Sequence, residues 1–406
     1  MESLNTAQPV PSAESELRAA PPHALVATAR RLLADRVGAQ RVTLFLADYG
    51  LSVLQPVTDL PHTGDPVPAD EGPVGRAFLS QAPVVEVGDD PASPHRVHLP
   101  MTVRGDRLGI LSVRLPRDRT DPATVLQLTD FATALAHEVS TADRDTDLYL
   151  QARRTRRLTL AAEMQWQLLP GRGCARQEYV IGAHLEPAYS VGGDNFDWST
   201  GADHLILSVT DGMGQGIDAS LLVGLTVGAL RNARRAGLPL ADQARLADQA
   251  LFAQYHGKMY SSTLLLRFDL DSGTVHAVDA GSPRLYRQRG DTIEQIELEA
   301  QLPLGMLEET PYEEQTFTVE PGDRLIVVGT GVHGARDAEG GSFGDRALRQ
   351  TFRATRRESP HEAARAMVSG LIEHFGSADL TADAAVVCLD WHGRTRGTAR
   401  RTPPAS

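Results

Sequence analysis

Two aspartates, each followed or preceded by glycine, bracket one short apolar segment in the second half of the chain. Residues 191–216 read V-G-G-D-N-F-D-W, then the apolar run His204–Val209, then T-D-G-M-G-Q-G. If neighbouring antiparallel strands end at these acids, Asp194 and Asp211 face one another at the edge of a sheet. Close carboxylates repel unless a proton or a cation lies between them, and carboxylate oxygens favour Mg²⁺ or Mn²⁺. The alternative is two ordinary turns, because Asp-Gly and Gly-Asp are common in turns.

Length, charge and cysteine content narrow the class of protein. The chain has 406 residues, which favours two domains, and a net charge of −12, which argues against a nucleic-acid partner. Cys174 and Cys388 lie far apart without metal or redox spacing, which is typical of a reduced cytoplasm. The first twenty residues have no apolar run, and the longest apolar stretch, Leu221–Leu230, is about half of a membrane span. We therefore expect a soluble cytoplasmic protein without a membrane partner.

A first domain is expected over residues 22–120. It follows a stretch, 1–21, that is rich in Pro, Ser, Ala and Glu and that we expect to be disordered. Helical spacing of apolar residues predicts helices over His23–Asp35 and Gly72–Ser80. Turn residues separate short apolar runs that predict strands at Val42–Leu46, Leu51–Val57, Val84–Val87, Val97–Val103 and Leu108–Leu115. The pattern favours an α+β domain.

Four motifs in this domain occur in a recognisable order. They are E-G-P-V-G-R-A-F at 71–78, P-V-V-E-V at 83–87, L-P-M-T-V at 99–103 and G-D-R-L-G-I-L-S-V at 105–113. Their order and spacing resemble a GAF domain. The resemblance implies a sensor that binds a small ligand or mediates dimers, and no residue identifies the ligand.

The segment 121–170 is expected to be a helical linker. Neither Pro nor Gly occurs from Ala123 to Leu169, and Leu128, Phe131, Leu135 and Val139 follow three- and four-residue steps. A continuous helix of this length spans roughly 70 Å, and we expect it to pair with a second copy as a coiled coil, giving a homodimer. The alternative is a broken pair of packed helices, because 140–147 is polar.

A second domain is expected over residues 171–392, followed by a disordered tail, 393–406. Its predicted strands and helices come in blocks rather than in alternation, which favours an α+β fold with helices covering a β-sandwich. The strands are predicted at Tyr179–Leu185, Asn195–Trp198, His204–Val209, Thr263–Asp269, Val275–Ala280, Arg284–Arg287, Gln315–Val319, Arg324–Val328 and Ala384–Leu389, and the helices at Asp218–Arg235, Leu240–Gln254, Gly344–Thr355 and Pro360–Phe375.

Ordered motifs run through this second half. They include A-E-M-Q-W-Q-L-L-P at 162–170, E-P-A-Y-S-V-G-G-D-N-F-D at 186–197, S-V-T-D-G-M-G-Q-G-I-D-A-S-L-L at 208–222 and P-G-D-R-L-I-V-V-G-T-G-V-H-G-A-R-D at 321–337. From about 160 to 391 the chain resembles a metal-dependent protein phosphatase of the PPM superfamily, in the SpoIIE/RsbU branch. The resemblance implies two Mg²⁺ or Mn²⁺ ions and a metal-activated water that attacks phosphorus directly. It also implies a phosphorylated regulatory protein of the anti-anti-sigma type as substrate.

Carried over by position, the resemblance makes Asp194, Asp211 and the Gly212 carbonyl metal ligands, with Asp197 nearby. Two further acids of the pattern are absent. The chain reads G-T-G-V at 329–332 where relatives carry T-D-G-V, so Thr330 stands at the position of the aspartate, and Ala382 replaces the first acid of D-D-x-T. A one-residue slip makes Asp383 a candidate substitute ligand. The sequence therefore predicts a GAF-regulated serine/threonine phosphatase. The alternative is a catalytically impaired regulatory module, because a hydroxyl and a methyl group bind Mg²⁺ far less well than carboxylates.

Overall fold

The computed structural model describes residues 12–88, 90, 93–155, 158–188, 192–281, 283–336, 343–375 and 380–394, without the side chains of 344 and 345. Contact density divides the chain into two compact units, Met1–Arg157 and Leu158–Ser406. Residues 1–11 and 395–406 fall outside the described ranges. Of the tail predicted over 393–406, residues 393 and 394 are therefore described.

The first unit is one antiparallel sheet covered by helices. The sheet has the strand order β3-β2-β1-β7-β6-β5, with β4 also paired to β2. The helices are α1 (Ala13–Ala19), α2 (Leu25–Val37), α3 (Gly72–Ser80), α4 (Pro122–Ala142) and α5 (Leu148–Ala152), and the strands are β1 (Arg41–Ala47), β2 (Val53–Asp59), β3 (His62–Thr63), β4 (Val67–Pro68), β5 (Val84–Glu86), β6 (His95–Val103) and β7 (Asp106–Leu115). The larger core lies between the sheet and α1, α2 and α4, and a smaller one lies beneath α3.

The prediction of disorder over 1–21 is wrong for its described part. Ser12 caps α1 by accepting a hydrogen bond from the Ser15 N–H at 3.1 Å, and Glu14 and Glu16 lie in its first turn. Both features stabilise a helix N-terminus. Leu17 is fully buried, so one apolar residue anchors this polar helix to the core.

The prediction of one continuous linker helix is also wrong. The described residues of 121–170 form three separate helices, α4, α5 and α6 (Leu160–Leu168). The boundary between the units falls at Arg157, within this segment. The polar run after Ala142 offers no apolar side chain to bury, so α4 ends there. The stripe Leu128, Phe131, Leu135 and Val139 packs in the core of its own unit, where it cannot form the expected coiled-coil seam.

The second unit is a sandwich of two antiparallel sheets with helices on both outer faces. One sheet has the order β10-β11-β12-β13-β16 and the other β15-β14-β17-β18-β9-β8. The strands are β8 (Gly173–Ala175), β9 (Tyr179–Glu186), β10 (Asp194–Thr200), β11 (His204–Gly212), β12 (Ser261–Asp269), β13 (Thr274–Ala280), β14 (Arg284–Arg289), β15 (Thr292–Gln295), β16 (Gln315–Thr318), β17 (Arg324–Val328) and β18 (Ala384–Trp391), and the helices are α6 (Leu160–Leu168), α7 (Gly216–Arg235), α8 (Leu240–Tyr255), α9 (Thr330–His333), α10 (Gly344–Ala354) and α11 (Pro360–Phe375).

Three apolar cores hold the sandwich together. One lies between the two sheets and contains Leu205, Leu207 and Leu266 from one sheet and Leu325 and Val387 from the other. A second joins α7 and α8 to the five-stranded sheet, and a third joins α10 and α11 to the six-stranded sheet. The mixed helix and sheet fold predicted for this half is confirmed. No described helix is both long and apolar enough to cross a membrane.

Candidate functional site

The two aspartates singled out in the sequence lie directly opposite each other. In the β10–β11 pair, Asp194 is the register partner of Asp211, and the pairing continues to Thr200 and Leu205. Both acids lie inside strands, so the alternative that they form ordinary turns is wrong. Residues directly opposite on antiparallel strands hold their Cβ atoms about 4.5–5.5 Å apart. The fold therefore places two carboxylates side by side at one edge of the sheet.

Asp194 is the more buried member of this pair. Its side chain is 4% exposed, and its Oδ2 atom has no hydrogen-bond donor among the described residues. Burial raises the pKa of the Asp194 carboxyl well above its usual range, and the negative charges of Asp211 and Asp383 raise it further. A bound cation would reverse these effects, because it stabilises the ionised form of both acids.

Glycines allow the backbone to close around the pair. The Gly212 N–H donates a hydrogen bond to the Gly193 carbonyl at 3.1 Å, and Gly193 has a φ of 91°. A Cβ atom at Gly212 would lie 2.5 Å from the Val223 Cγ2 atom on α7. The positive φ and the close approach both require glycine. Gly212 thereby lies in the lining of a cavity next to Asp211, where its carbonyl is a candidate ligand.

Asp383, which the sequence offered as a substitute ligand, is held by four N–H donors. Its Oδ1 atom accepts from Ala188 N at 2.8 Å. Its Oδ2 atom accepts from Gly193 N at 2.8 Å, Asp194 N at 3.1 Å and the Gln165 side-chain nitrogen at 2.6 Å. Only 1% of the residue is exposed. The carboxylate thus stabilises the backbone on both sides of 189–191, which lies outside the described residues.

A cavity of about 420 Å³ opens over the aspartate pair. Thr330 and Ala382, the two substituted positions, line it together with Asp194 and Asp211. Thr330 begins α9, and a Cβ atom at Gly331 would lie 1.9 Å from the Asp383 carbonyl oxygen, so this turn packs tightly on the start of β18. Within the described residues, no group of three or more His, Cys, Asp or Glu side chains is arranged to hold a metal ion.

An arginine side chain also lines the cavity. Arg336 is exposed and follows α9, and among the residues that line the cavity it is the one with a positive side chain. A guanidinium group binds phosphoryl oxygens well because its N–H groups match their geometry. Sequence reasoning did not single out Arg336, and its position two residues after Gly334 in a glycine-rich stretch carried no signal.

Asp197, expected near the metal ligands, has a structural partner instead. It is 2% exposed and forms a two-pronged ion pair with Arg231 at 2.9 and 3.1 Å, and Arg234 adds a bond at 3.0 Å. Arg231 also donates to the Leu168 carbonyl at 2.8 Å. These bonds connect β10, α7 and the end of α6, and they satisfy the Asp197 charge without a metal ion.

The residues present fit one divalent cation better than two. Asp194 has an unpartnered buried oxygen, and Asp211 and Gly212 lie beside it in the same cavity. These are the hard oxygen donors that Mg²⁺ and Mn²⁺ prefer. A second ion would need the acids that Thr330 and Ala382 replace, and Asp383 already accepts four hydrogen bonds.

Comparison with known families adds an independent observation. Residues 201–392 match the family model described as Stage II sporulation protein E (SpoIIE). The match lies wholly within the second unit. The matched span contains Asp211, Gly212, Thr330, Ala382 and Asp383, whereas Asp194 lies just before it.

Three curated proteins resemble part of the chain at low identity. Phosphoserine phosphatase RsbU of Bacillus subtilis (strain 168) is 21% identical over 185 residues, which are 45% of this chain and 55% of RsbU. Protein IcfG of Synechocystis sp. is 23% identical over 47% of this chain and 35% of its own length. Stage II sporulation protein E of B. subtilis is 24% identical over 35% of this chain. The chain spans 17–55% of the length of these relatives.

Two solved structures resemble part of the chain. The PP2C phosphatase domain of SpoIIE from B. subtilis, solved with a fragment of its regulatory domain, superposes with a TM-score of 0.48 at 21% identity, covering 54% of this chain and 66% of that one. The SiaA-PP2C domain of Pseudomonas aeruginosa gives a TM-score of 0.46 at 21% identity, covering 52% of this chain and 85% of that one.

Proposed function

We propose that the second unit is a metal-dependent protein serine/threonine phosphatase. The carrying observation is the Asp194–Asp211 register pair, whose buried Asp194 Oδ2 atom has no donor among the described residues. Such a pair is destabilising for the fold alone and suited to a cation. The cofactor of this proposal is Mn²⁺ or Mg²⁺, held by Asp194, Asp211 and the Gly212 carbonyl.

The chemistry is hydrolysis of a phosphoserine or phosphothreonine ester. When bound, the metal ion lowers the pKa of its water and neutralises developing charge. Water oxygen bonds to phosphorus, the ester P–O bond breaks, and the leaving serine oxygen takes up a proton. In this scheme Arg336, which also lines the cavity, binds the phosphoryl oxygens. We assign Asp383 to positioning the backbone of Asp194 rather than to metal binding, because its oxygens accept four hydrogen bonds.

The regulation and partners of this activity are proposed on family grounds. Relatives include a phosphoserine phosphatase, RsbU. We propose a phosphorylated regulatory protein of the anti-anti-sigma type as substrate and a GAF-like sensor in the first unit that controls the activity through a small ligand or a homodimer. The coiled-coil route to the homodimer is not part of the proposal, since the α4 stripe is buried in its own unit.

A catalytically impaired regulatory module is the second candidate. The observation that favours it is that Thr330 and Ala382 line the cavity where acids are expected, and that Asp383, the third acid among the described lining residues, already accepts four hydrogen bonds. A single cation leaves the attacking water and the leaving oxygen without the paired clamp that two ions supply. In this reading the domain binds its phosphoprotein and signals without turnover.

The test is hydrolysis of a phosphoserine peptide by the full chain while Mn²⁺ is titrated. We expect metal-dependent turnover that Asp211→Asn abolishes. Equal background rates in both proteins would rule out the phosphatase. The double variant Thr330→Asp with Ala382→Asp separates the two candidates. An active enzyme changes modestly, whereas an impaired module gains a second Mn²⁺ in calorimetric stoichiometry and a large rate increase.

A further inference from the structure

The helix α6 contributes one buried polar side chain to the candidate site. Gln165 is 3% exposed and lies on the face of α6 that also buries Ala161 and Ala162. Its side-chain nitrogen donates to the Asp194 carbonyl at 2.8 Å and to the Asp383 Oδ2 atom at 2.6 Å. One amide thus contacts the backbone of a candidate ligand and the carboxylate that orders that ligand's neighbours.

These two acceptors belong to different sheets. Asp194 begins β10 of the five-stranded sheet, and Asp383 directly precedes β18 of the six-stranded sheet. Gln165 therefore joins the two sheets at the edge where the aspartate pair lies. An amide carries two N–H donors, which matches the two acceptors.

The orientation of this amide is determined by its surroundings. Reversing it would place its oxygen against the Asp194 carbonyl and the Asp383 carboxylate, where no donor would remain between three acceptors. The helix that carries it is itself held near both ends. The Ser220 hydroxyl donates to the Ala161 carbonyl at 3.2 Å, and Arg231 donates to the Leu168 carbonyl at 2.8 Å.

We propose that Gln165 is a positioning residue, which sets the place of Asp194 opposite Asp211 by tying the Asp194 backbone to Asp383. This inference rests on the proposed function, because it concerns the same cation site. Without the amide, Asp383 keeps its three backbone donors but is no longer joined to α6. Asp194 then loses the bond that holds its carbonyl, and the pair becomes less well ordered for a cation.

The experiment measures Mn²⁺ binding to the full chain by titration calorimetry, with thermal unfolding recorded in EDTA. Gln165→Met removes the donor and keeps an unbranched side chain of similar length. Gln167→Met is the matched control, since Gln167 is an exposed residue of the same helix that donates only to Glu163 at 3.1 Å. Loss of a group that orients a metal ligand typically weakens metal affinity about 10–100-fold, and we expect that change in Kd for Gln165→Met and none for Gln167→Met.

The outcomes distinguish a failure of the Gln165 proposal from a failure of the proposed metal site. If Gln165→Met lowers the melting temperature but binds Mn²⁺ with the wild-type Kd, Gln165 has a merely structural role and the proposal is wrong. If wild type binds no Mn²⁺, the proposed metal site fails and this inference fails with it. Gln165→Glu, which keeps the shape and replaces the donor by an acceptor, covers the case in which Gln165→Met does not fold. It must also weaken Mn²⁺ binding, and wild-type affinity there would overturn the proposal.

Discussion

Neutralising one member of the aspartate pair is expected to stabilise the metal-free protein. Asp211→Asn removes the charge that faces Asp194 and supplies an N–H group beside the unpartnered Asp194 Oδ2 atom. Like charges directly opposite on paired strands are destabilising, on a scale where cross-strand pairs contribute about 0.2–1 kcal/mol, and a new hydrogen bond contributes about 0.5–1.5 kcal/mol. The free energy of unfolding should therefore rise by about 1–2 kcal/mol in EDTA. For a domain of 150–250 residues this is a rise of roughly 2–8 °C in Tm.

The same substitution should have the opposite effect once metal is present. Wild type with Mn²⁺ at a hundred times its Kd gains about 2.7 kcal/mol, whereas Asp211→Asn gains nothing. Scanning calorimetry of the full chain, in EDTA and in Mn²⁺, follows the transition that responds to the metal. Glu308→Gln, which neutralises an exposed loop residue of the same unit, is the control and should stay within about 0.5 kcal/mol of wild type.

Two results would refute this reasoning. If Asp211→Asn melts below wild type in EDTA, the two carboxylates do not repel each other in the metal-free fold. If wild type shows no increase in Tm with Mn²⁺, the pair does not bind the cation that was inferred from it.

Three further substitutions test the packing and charge of single residues. Gly331→Ala should destabilise the second unit by about 1–3 kcal/mol in urea unfolding, because its Cβ atom would lie 1.9 Å from the Asp383 carbonyl oxygen. Gly224→Ala adds a Cβ atom with nothing within 4 Å of it, so this substitution should stabilise the unit by about 0.5–1 kcal/mol. Burial lowers the pKa of the His98 imidazole, although the neighbouring Glu86 carboxylate opposes this. The folded state therefore binds the imidazole proton less tightly than the unfolded state, and the first unit should lose stability as the pH falls below about 6.5. His98→Gln should flatten that loss, as urea midpoints at pH 7.5 and 5.5 would show, and an unchanged pH dependence would contradict it.

Strands and helices were predicted well wherever the apolar pattern alone decides them. The helices Gly72–Ser80 and Pro360–Phe375 and the strand Arg324–Val328 match the prediction at both ends. The Asp194–Asp211 contact was also predictable, because the two residues flank neighbouring strands. Such features depend on neighbours that are close in sequence, which a local pattern reports directly.

The features that sequence reasoning missed depend on distant partners. Gln165 meets Asp383, 218 positions away, and Ala188 meets the same carboxylate from 195 positions away. No spacing rule connects residues so far apart. The break after α4 was the alternative that the polar run 140–147 offered, but the sequence favoured a continuous helix because it does not show that the stripe up to Val139 is buried within one unit.

The acids in and near the site differ in whether partners within the protein satisfy their carboxylates. Asp383 accepts hydrogen bonds from four N–H donors, so its carboxylate satisfies buried polar groups whether or not a metal binds. Asp197 likewise forms ion pairs with Arg231 and Arg234. Asp194 has an oxygen that no described donor meets, and it faces a second carboxylate. Hydrogen bonds and ion pairs within the fold therefore explain the charges of Asp383 and Asp197, whereas the Asp194–Asp211 pair is favourable when a proton or a cation lies between its oxygens.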